Sequence, residues 1–262
     1  MILSKLEKYN TVYTTKDFSI FDRVIGNRLP TTARAEANIN RIMKSIEEKY
    51  IPLPILVNKQ MKVVDGLHRL EAHRRLEKPI RYIITNVDVD VKDIQRINNI
   101  SNNWNTEDYL NSNMDVEKTK FPNTFDTKPY HMYSLFKEKY KFSHRNNLMM
   151  LLDVPSITKE LEEEFKQGKF KILDWMNACD TAEYITGFKS YLTDYKNRNF
   201  VTAFLQVFKH WRFSKRTWNK KLAQNSRKIV HCTNAADYRE VILEVYNWGL
   251  QERSRLKVKE AA

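Results

Sequence analysis

The stretch VVDGLHRLEAHRRLEKPIRYIIT, Val63 to Thr85, holds a strand, a one-glycine turn, a short helix and a second strand. The first strand runs into Asp65, Gly66 supplies the turn, and a helix from about Leu67 to Leu76 carries His68 and Arg69 in its first turn. Backbone N–H groups without helical partners and the positive end of the helix dipole sit at that turn, so the geometry favours an anion. At 100° per residue Arg69, Ala72 and Leu76 share one stripe, flanked by His68 and His73, while Glu71 and Arg74 face the other way. Arg69 is thereby directed toward the packed side, where a guanidinium is costly unless an anion pairs with it. A bound phosphate would serve, and so would a structural carboxylate such as Asp65. His68 and His73 lie five residues apart and diverge around the helix, so no metal site is expected from them.

Outward from this unit, the first ninety residues continue as α/β. Asn10–Thr15 is a short β-branched run, and Thr32 is placed to cap a helix reaching about Lys49 with Ile39, Ile42, Met43, Ile46 and Tyr50 at helical spacing. Pro54–Asn58 and Met61–Val64 flank a Lys59-Gln60 turn as a strand pair, and Pro79–Thr85 is a further strand. From Val91 the pattern is helical, over 91–100, 106–116, 128–140, 145–152, 156–166, 171–192, 198–211, 214–225 and 235–252, punctuated by Pro122, Pro129, Pro155 and Gly168. The expected class is α+β. A small α/β domain over 1–112 precedes a mostly helical domain over 113–262, with a turn-rich junction near 105–125.

Composition narrows the function. The 262 residues include 42% hydrophobic and 12% aromatic side chains, enough apolar surface to exclude a largely disordered chain. Five glycines disfavour a turn-rich β-sandwich, and Cys179 and Cys232 alone make no disulfide framework or CxxC metal site. The N-terminal MILSKLEKYN carries charges where a secretion signal needs an apolar run, and no apolar stretch approaches the roughly 20 residues of a membrane span. A cytoplasmic protein with no membrane partner is expected. The net charge of +13 points to a polyanion, most simply nucleic acid. From Lys196 onward fifteen basic residues face five acidic ones, so most of that excess lies at the C-terminal end.

Asp65-Gly66-Leu67-His68-Arg69 followed by Ala72 resembles the nucleotide-binding motif of the ParB/sulfiredoxin-like superfamily, in its phage and plasmid branch with a DG-x-HR box. Asn27-Arg28, then Ile42, Ser45, Ile46, Pro54, Ile55 and Val57, is similar to that family's first box. Asn98-Asn99-Ile100 with Trp104 and Glu107-Asp108-Tyr109 resembles its third. The three boxes span about residues 17–112. The resemblance implies a nucleoside triphosphate, CTP or ATP with Mg²⁺, bound by Arg28, Gly66, His68, Arg69 and Asn99, with Asp65 and His68 as candidate catalytic groups. Leu67 stands where sulfiredoxins carry their cysteine and segregation clamps a glutamate. Sulfinic acid reduction is therefore excluded, and clamp-type CTP hydrolysis lacks its carboxylate. The resemblance further implies a DNA-binding protein in a bacterial cytoplasm, acting as a nuclease, a partition factor or a transcription regulator.

In the helical part Phe200, Phe204, Phe208 and Trp211 recur at helical spacing and are expected in the core. Lys209, Arg212, Lys215, Arg216, Lys220 and Lys221 gather around Phe213-Ser214 and the following helix. With Trp218 among them they are expected to grip a phosphate backbone and stack a base. The alternative is a solvated basic face around a buried tryptophan. In the final helix Tyr238, Val241, Ile242, Val245 and Trp248 share one face. Double-stranded DNA is the expected partner, with a second copy of the chain as another. Two rival readings are a nucleotide-dependent kinase using Asp65 as base on a small hydroxyl substrate, and a non-enzymatic interaction scaffold.

Overall fold

The computed structural model describes residues 11–28, 30–49, 53–87, 89–101 and 104–258, with only the backbone for 98–101. Its packing divides into two units, Met1–Phe125 and Asp126–Ala262. The 112/113 boundary drawn from sequence falls inside a helix, Thr106–Lys120, and the division comes at the turn-rich segment after it.

The first unit is built on a five-stranded mixed sheet. Its strands are β1 (Val12–Thr15), β2 (Asp22–Arg23), β3 (Ile55–Val57), β4 (Lys62–Asp65) and β5 (Ile80–Ile84), in the spatial order β1-β5-β3-β4-β2. β1 is antiparallel to β5, β3 is parallel to β5 and antiparallel to β4, and β2 is parallel to β4. Two-residue β2 gave no periodic signal and was not expected. Side chains alternate across the sheet as the strand period of two requires. Ile55, Val57 and Val63 join Ile80 with Leu67 and Leu70 in one cluster. Leu56 and Val64 join Ile94, Trp104 and Tyr109 in another.

The helices of this unit are α1 (Ala33–Glu48), α2 (Leu67–Arg75), α3 (Val91–Ser101) and α4 (Thr106–Lys120). The Thr32 hydroxyl caps α1 by accepting the Ala35 N–H at 3.1 Å. α1 packs on α2 through Ile39 and Ile46 against Ala72, with Ile42, Met43 and Leu76 closing the seam. Arg75 of α2 forks onto both Glu36 oxygens of α1 at 2.6 and 2.9 Å. An exposed pair of this kind adds little, so the apolar seam dominates.

The second unit contains α5 (Pro129–Tyr140), α6 (His144–Leu151), α7 (Lys159–Lys166), α8 (Trp175–Gly187), α9 (Arg198–Phe208), α10 (Lys215–Asn225) and α11 (Ala235–Asn247). Its core is aromatic. Phe188 meets Phe200, Phe204 and Trp218 at centroid distances of 5.0, 5.4 and 5.8 Å, and Phe200 meets Tyr238 at 5.4 Å. A second aromatic group joins Tyr130, Tyr133, His144, Phe165 and Phe170.

Three helices stop short of their expected ends. α8 starts at its Asp174 cap and gives way to a 3-10 turn over Phe188–Ser190. α9 ends at Phe208, which leaves Trp211 outside the helix and 87% exposed, not in the core stripe. α11 ends at Asn247 before Gly249 at φ +66°, so Trp248 is half exposed beneath Lys228, whose Nζ lies 4.3 Å from its ring centroid. No helix among the described residues is long and apolar enough to cross a membrane.

Candidate functional site

The sharp turn between β4 and α2 depends on Gly66, which adopts φ +99°. A Cβ there would lie 2.6 Å from Ile55 Cγ2 and 3.0 Å from Ile55 Cβ, an approach no real side chain tolerates. The same glycine leaves α2 without a side-chain cap, and no acidic residue sits in the first turn. A cavity of about 440 Å³ opens at this turn. Asp65, Gly66, Leu67, His68, Arg69 and His73 form one wall, and α1 contributes Asn38, Arg41 and Ser45 with Ile42 and Ile46, followed by Lys49 just past its end. A second cavity of about 370 Å³ shares Arg28, Asn38, Arg41 and His68 with the first and adds Arg34 and Asp108.

Arg28 reaches this place on a loop fixed from several sides. Asp115 of α4 accepts the Gly26 N–H at 2.6 Å and Arg23 Nη2 at 2.8 Å. Arg23 in turn donates to the Asn27 carbonyl at 2.7 Å. The Asn27 side chain is buried, donates to the Val63 carbonyl of β4 at 3.2 Å and accepts the Arg28 N–H at 2.8 Å. Gly26, at φ +82°, passes so close to α3 that a Cβ would sit 2.8 Å from Val91 Cγ2. Arg28 then pairs with Asp108 at 3.4 Å and lies 5.4 Å over the Trp104 ring. Burial pulls its guanidinium below its ordinary pKa, against the opposing pull of Asp108. Asp108 also closes the capping box of α4 with Asn105 and lies 3.7 Å from Arg34.

His68 and Arg69 have protein partners too. Arg69 Nη2 pairs with Asp65 Oδ2 at 2.7 Å, so the structural carboxylate weighed from sequence is the one found. Asn38 donates from Nδ2 to His68 Nδ1 at 2.7 Å, while Arg41 donates to Asn38 Oδ1 at 2.7 Å. With Nδ1 accepting, the neutral imidazole carries its proton on Nε2. Burial, and then the nearby Arg28 charge, hold the His68 pKa below its ordinary value, which keeps the ring neutral. His73 is buried on the other flank and its pKa is likewise lowered by burial. Leu67 packs on the sheet. The side chain of Asn99 lies outside the described residues.

Arg28, Gly66, His68, Arg69 and Asp65 are thus brought to one cavity. The sequence reading passed over Asn38 and Arg41 as site residues. The signal was present, since Arg34, Asn38, Arg41 and Ser45 recur at four, three and four residues along one face of α1. Asp115, which holds the Arg28 loop, has no sequence signal of its own.

The basic run of the second unit is arranged otherwise. Trp218 is completely buried between Phe188, Phe204 and Phe213, so the base-stacking role expected of it is corrected. Its place on the inward face of α10 leaves no aromatic face to offer. Lys209 pairs with Asp153 at 2.6 Å, and Lys215 with Asp180 at 2.9 Å. Arg212, Arg216, Lys220 and Lys221 make no ion pair among the described residues. Among the described residues, no group of three or more His, Cys, Asp or Glu side chains is placed to hold a metal ion.

No protein-family model and no curated protein matches this chain. Among solved structures it is similar to a Pnob8-like ParB-N domain, at 16% identity over 90% of this chain and 99% of that one, with a TM-score of 0.35.

Proposed function

We propose that the first unit binds a nucleoside triphosphate or related polyphosphate in the paired cavities, and that the chain is a DNA-binding protein of ParB-like type. One observation carries the nucleotide reading. Three sequence boxes, separated by up to eighty residues, supply Arg28, His68 with Arg69, and Asp108 to the walls of adjoining cavities at an uncapped helix N-terminus. Arg28, Arg41, Lys49 and Arg69 against Asp65 give the first cavity the positive balance a polyphosphate needs. Ile42, Ile46 and Leu67 give it an apolar side for a base.

The residues fit phosphate groups better than they fit a metal centre. Among the described residues Asp65 is the single carboxylate of the first cavity and is already engaged by Arg69, so Mg²⁺ would arrive held mainly by the phosphates themselves. Asp65 and His68 are the candidates for moving a proton. One is ion-paired to Arg69 and the other accepts the Asn38 amide at Nδ1, which leaves Nε2–H to donate, an arrangement suited to holding phosphate more than to cleaving it. The reading is therefore of a binding module, in preference to the kinase or nuclease.

Calorimetric titration with CTP, ATP and pyrophosphate, with and without Mg²⁺, tests it. Binding of at least one of these that is lost in Arg28→Ala and weakened in Arg41→Ala, with both variants folded, is the expected result. Absence of binding by all three would end the nucleotide reading. DNA binding by the second unit is supported by the fifteen-to-five basic excess from Lys196 onward and by the four cations of the basic run that have no acidic partner among the described residues.

A further inference from the structure

Beside the buried Trp218 stands a tryptophan in the opposite state. Trp211 lies between α9 and α10 and is 87% exposed, while Phe213, two residues on, turns inward to meet Phe208, Trp218 and Tyr246 at 5.1, 6.2 and 5.2 Å. The loop that presents it is tightly held. His210 N–H donates to the Val207 carbonyl at 3.1 Å, and Phe213 N–H donates to the His210 carbonyl at 2.7 Å. The Tyr246 hydroxyl accepts the Ser214 N–H at 2.9 Å, and Arg212 Nη2 donates to the Arg253 carbonyl at 2.6 Å. The indole is therefore extended from a fixed base.

A single exposed hydrophobic residue is ordinary. The surroundings of this one are not. The His210 ring lies nearly parallel to it, at 6.0 Å and 24°, and the Arg212 guanidinium sits 5.7 Å from its centroid. Arg212, and Arg216 in the first turn of α10, have no acidic partner among the described residues. An exposed aromatic ring beside the uncompensated Arg212, with Arg216 four residues further along the chain, is complementary to a ligand with a π surface and flanking phosphates. A base inside an undistorted duplex has both faces covered, so stacking on the indole favours an unpaired base.

We propose that Trp211 is a stacking platform for single-stranded nucleic acid, with Arg212 and Arg216 on the flanking phosphates. The inference rests on the nucleic-acid reading above and names the form of nucleic acid this surface takes. Full-length protein is titrated at low salt with labelled oligothymidine and, separately, with a duplex of the same length. Wild type, Trp211→Ala and Trp211→Phe are compared, and circular dichroism checks the fold. Oligothymidine should quench tryptophan fluorescence, and Trp211→Ala should weaken its binding by about ten-fold or more and remove most of the quench. Trp211→Phe should lie between, and duplex binding should barely change. Unaltered oligothymidine binding by Trp211→Ala, or binding of duplex alone, would overturn this proposal and leave the nucleic-acid reading standing. Failure to bind either probe would overturn both.

Discussion

The cavity at β4 and α2 and the basic run around α10 are both rich in cations, and they use them differently. In the first unit Arg28, Arg34, Arg41, Lys49 and Arg69 come from three separated segments and line adjoining cavities, with Asp65 and Asp108 spaced among them. In the second the cations are neighbours in sequence, and folding disperses them. Lys209 and Lys215 go to Asp153 and Asp180, while others remain at the surface. Adjacency along a helix spreads side chains around its circumference every 3.6 residues, whereas a cavity is assembled by loops and helix ends that converge from afar. Local charge density along the chain thus does not by itself place cations together in space, whereas short boxes spaced along it can.

The largest effect that can test this contrast lies in the tryptophans. Trp218→Ala should cost about 3–5 kcal/mol in urea unfolding, because the indole fills the aromatic core of the second unit. Trp211→Ala should cost no more than about 0.5 kcal/mol. Comparable losses would mean that the two residues do not divide as core and surface. Next is Gly66→Ala, which forces a Cβ against Ile55 and strains a left-handed turn. About 2–4 kcal/mol is expected by thermal or urea unfolding, together with weaker nucleotide binding.

A comparable change should follow pH. Burial pushes the His144 imidazole, which is bonded to the Tyr133 hydroxyl at 2.7 Å, down from 6.5 to about 4. The unfolded chain takes up that proton near 6.5 and the folded chain only near 4. This contribution to stability is therefore complete above 6.5 and is lost as pH falls from 6.5 toward 4. A loss of about 3 kcal/mol across that window is expected, abolished in a folded His144→Phe variant.

Arg41→Ala comes next. It removes an exposed cation and frees Asn38, and should weaken nucleoside triphosphate binding roughly ten-fold, about 1.4 kcal/mol, without changing the melting temperature. The smallest effect should be in salt dependence. Arg216→Ala should lower the slope of log affinity against log salt for DNA by close to one unit, whereas Lys215→Ala, already neutralised by Asp180, should change it less. Equal slopes would erase the distinction between paired and unpaired cations.

Much of the architecture was legible because it is written in local signals. The Thr32 cap, the apolar period from Ile39 to Ile46 and the strand–Gly66–helix unit all specify structure within a few residues. What escaped was set from a distance or by a helix end. Two-residue β2 has no period to read. Trp211 fits the stripe of α9 perfectly in spacing, yet the helix ends at Phe208 and the spacing no longer applies. Trp218 sits among lysines in sequence, but the α10 face that carries it is the one facing Phe188 and Phe204. At the cavity, Arg28, His68 and Arg69 came from motif resemblance, whereas Asn38 and Asp115 matter through partners about thirty and ninety residues away, and Arg41 acts through Asn38.

The Asp115 contact has a bearing on how the protein is made. The carboxylate that fixes Arg23 and the Gly26 N–H follows them by 92 and 89 residues. On the ribosome, β3, β4, α2 and β5 can emerge and pair before α4 exists. The nascent chain therefore acquires its sheet first and the final posture of Arg28 last. On the proposed nucleotide reading, capture is deferred until synthesis has passed α4.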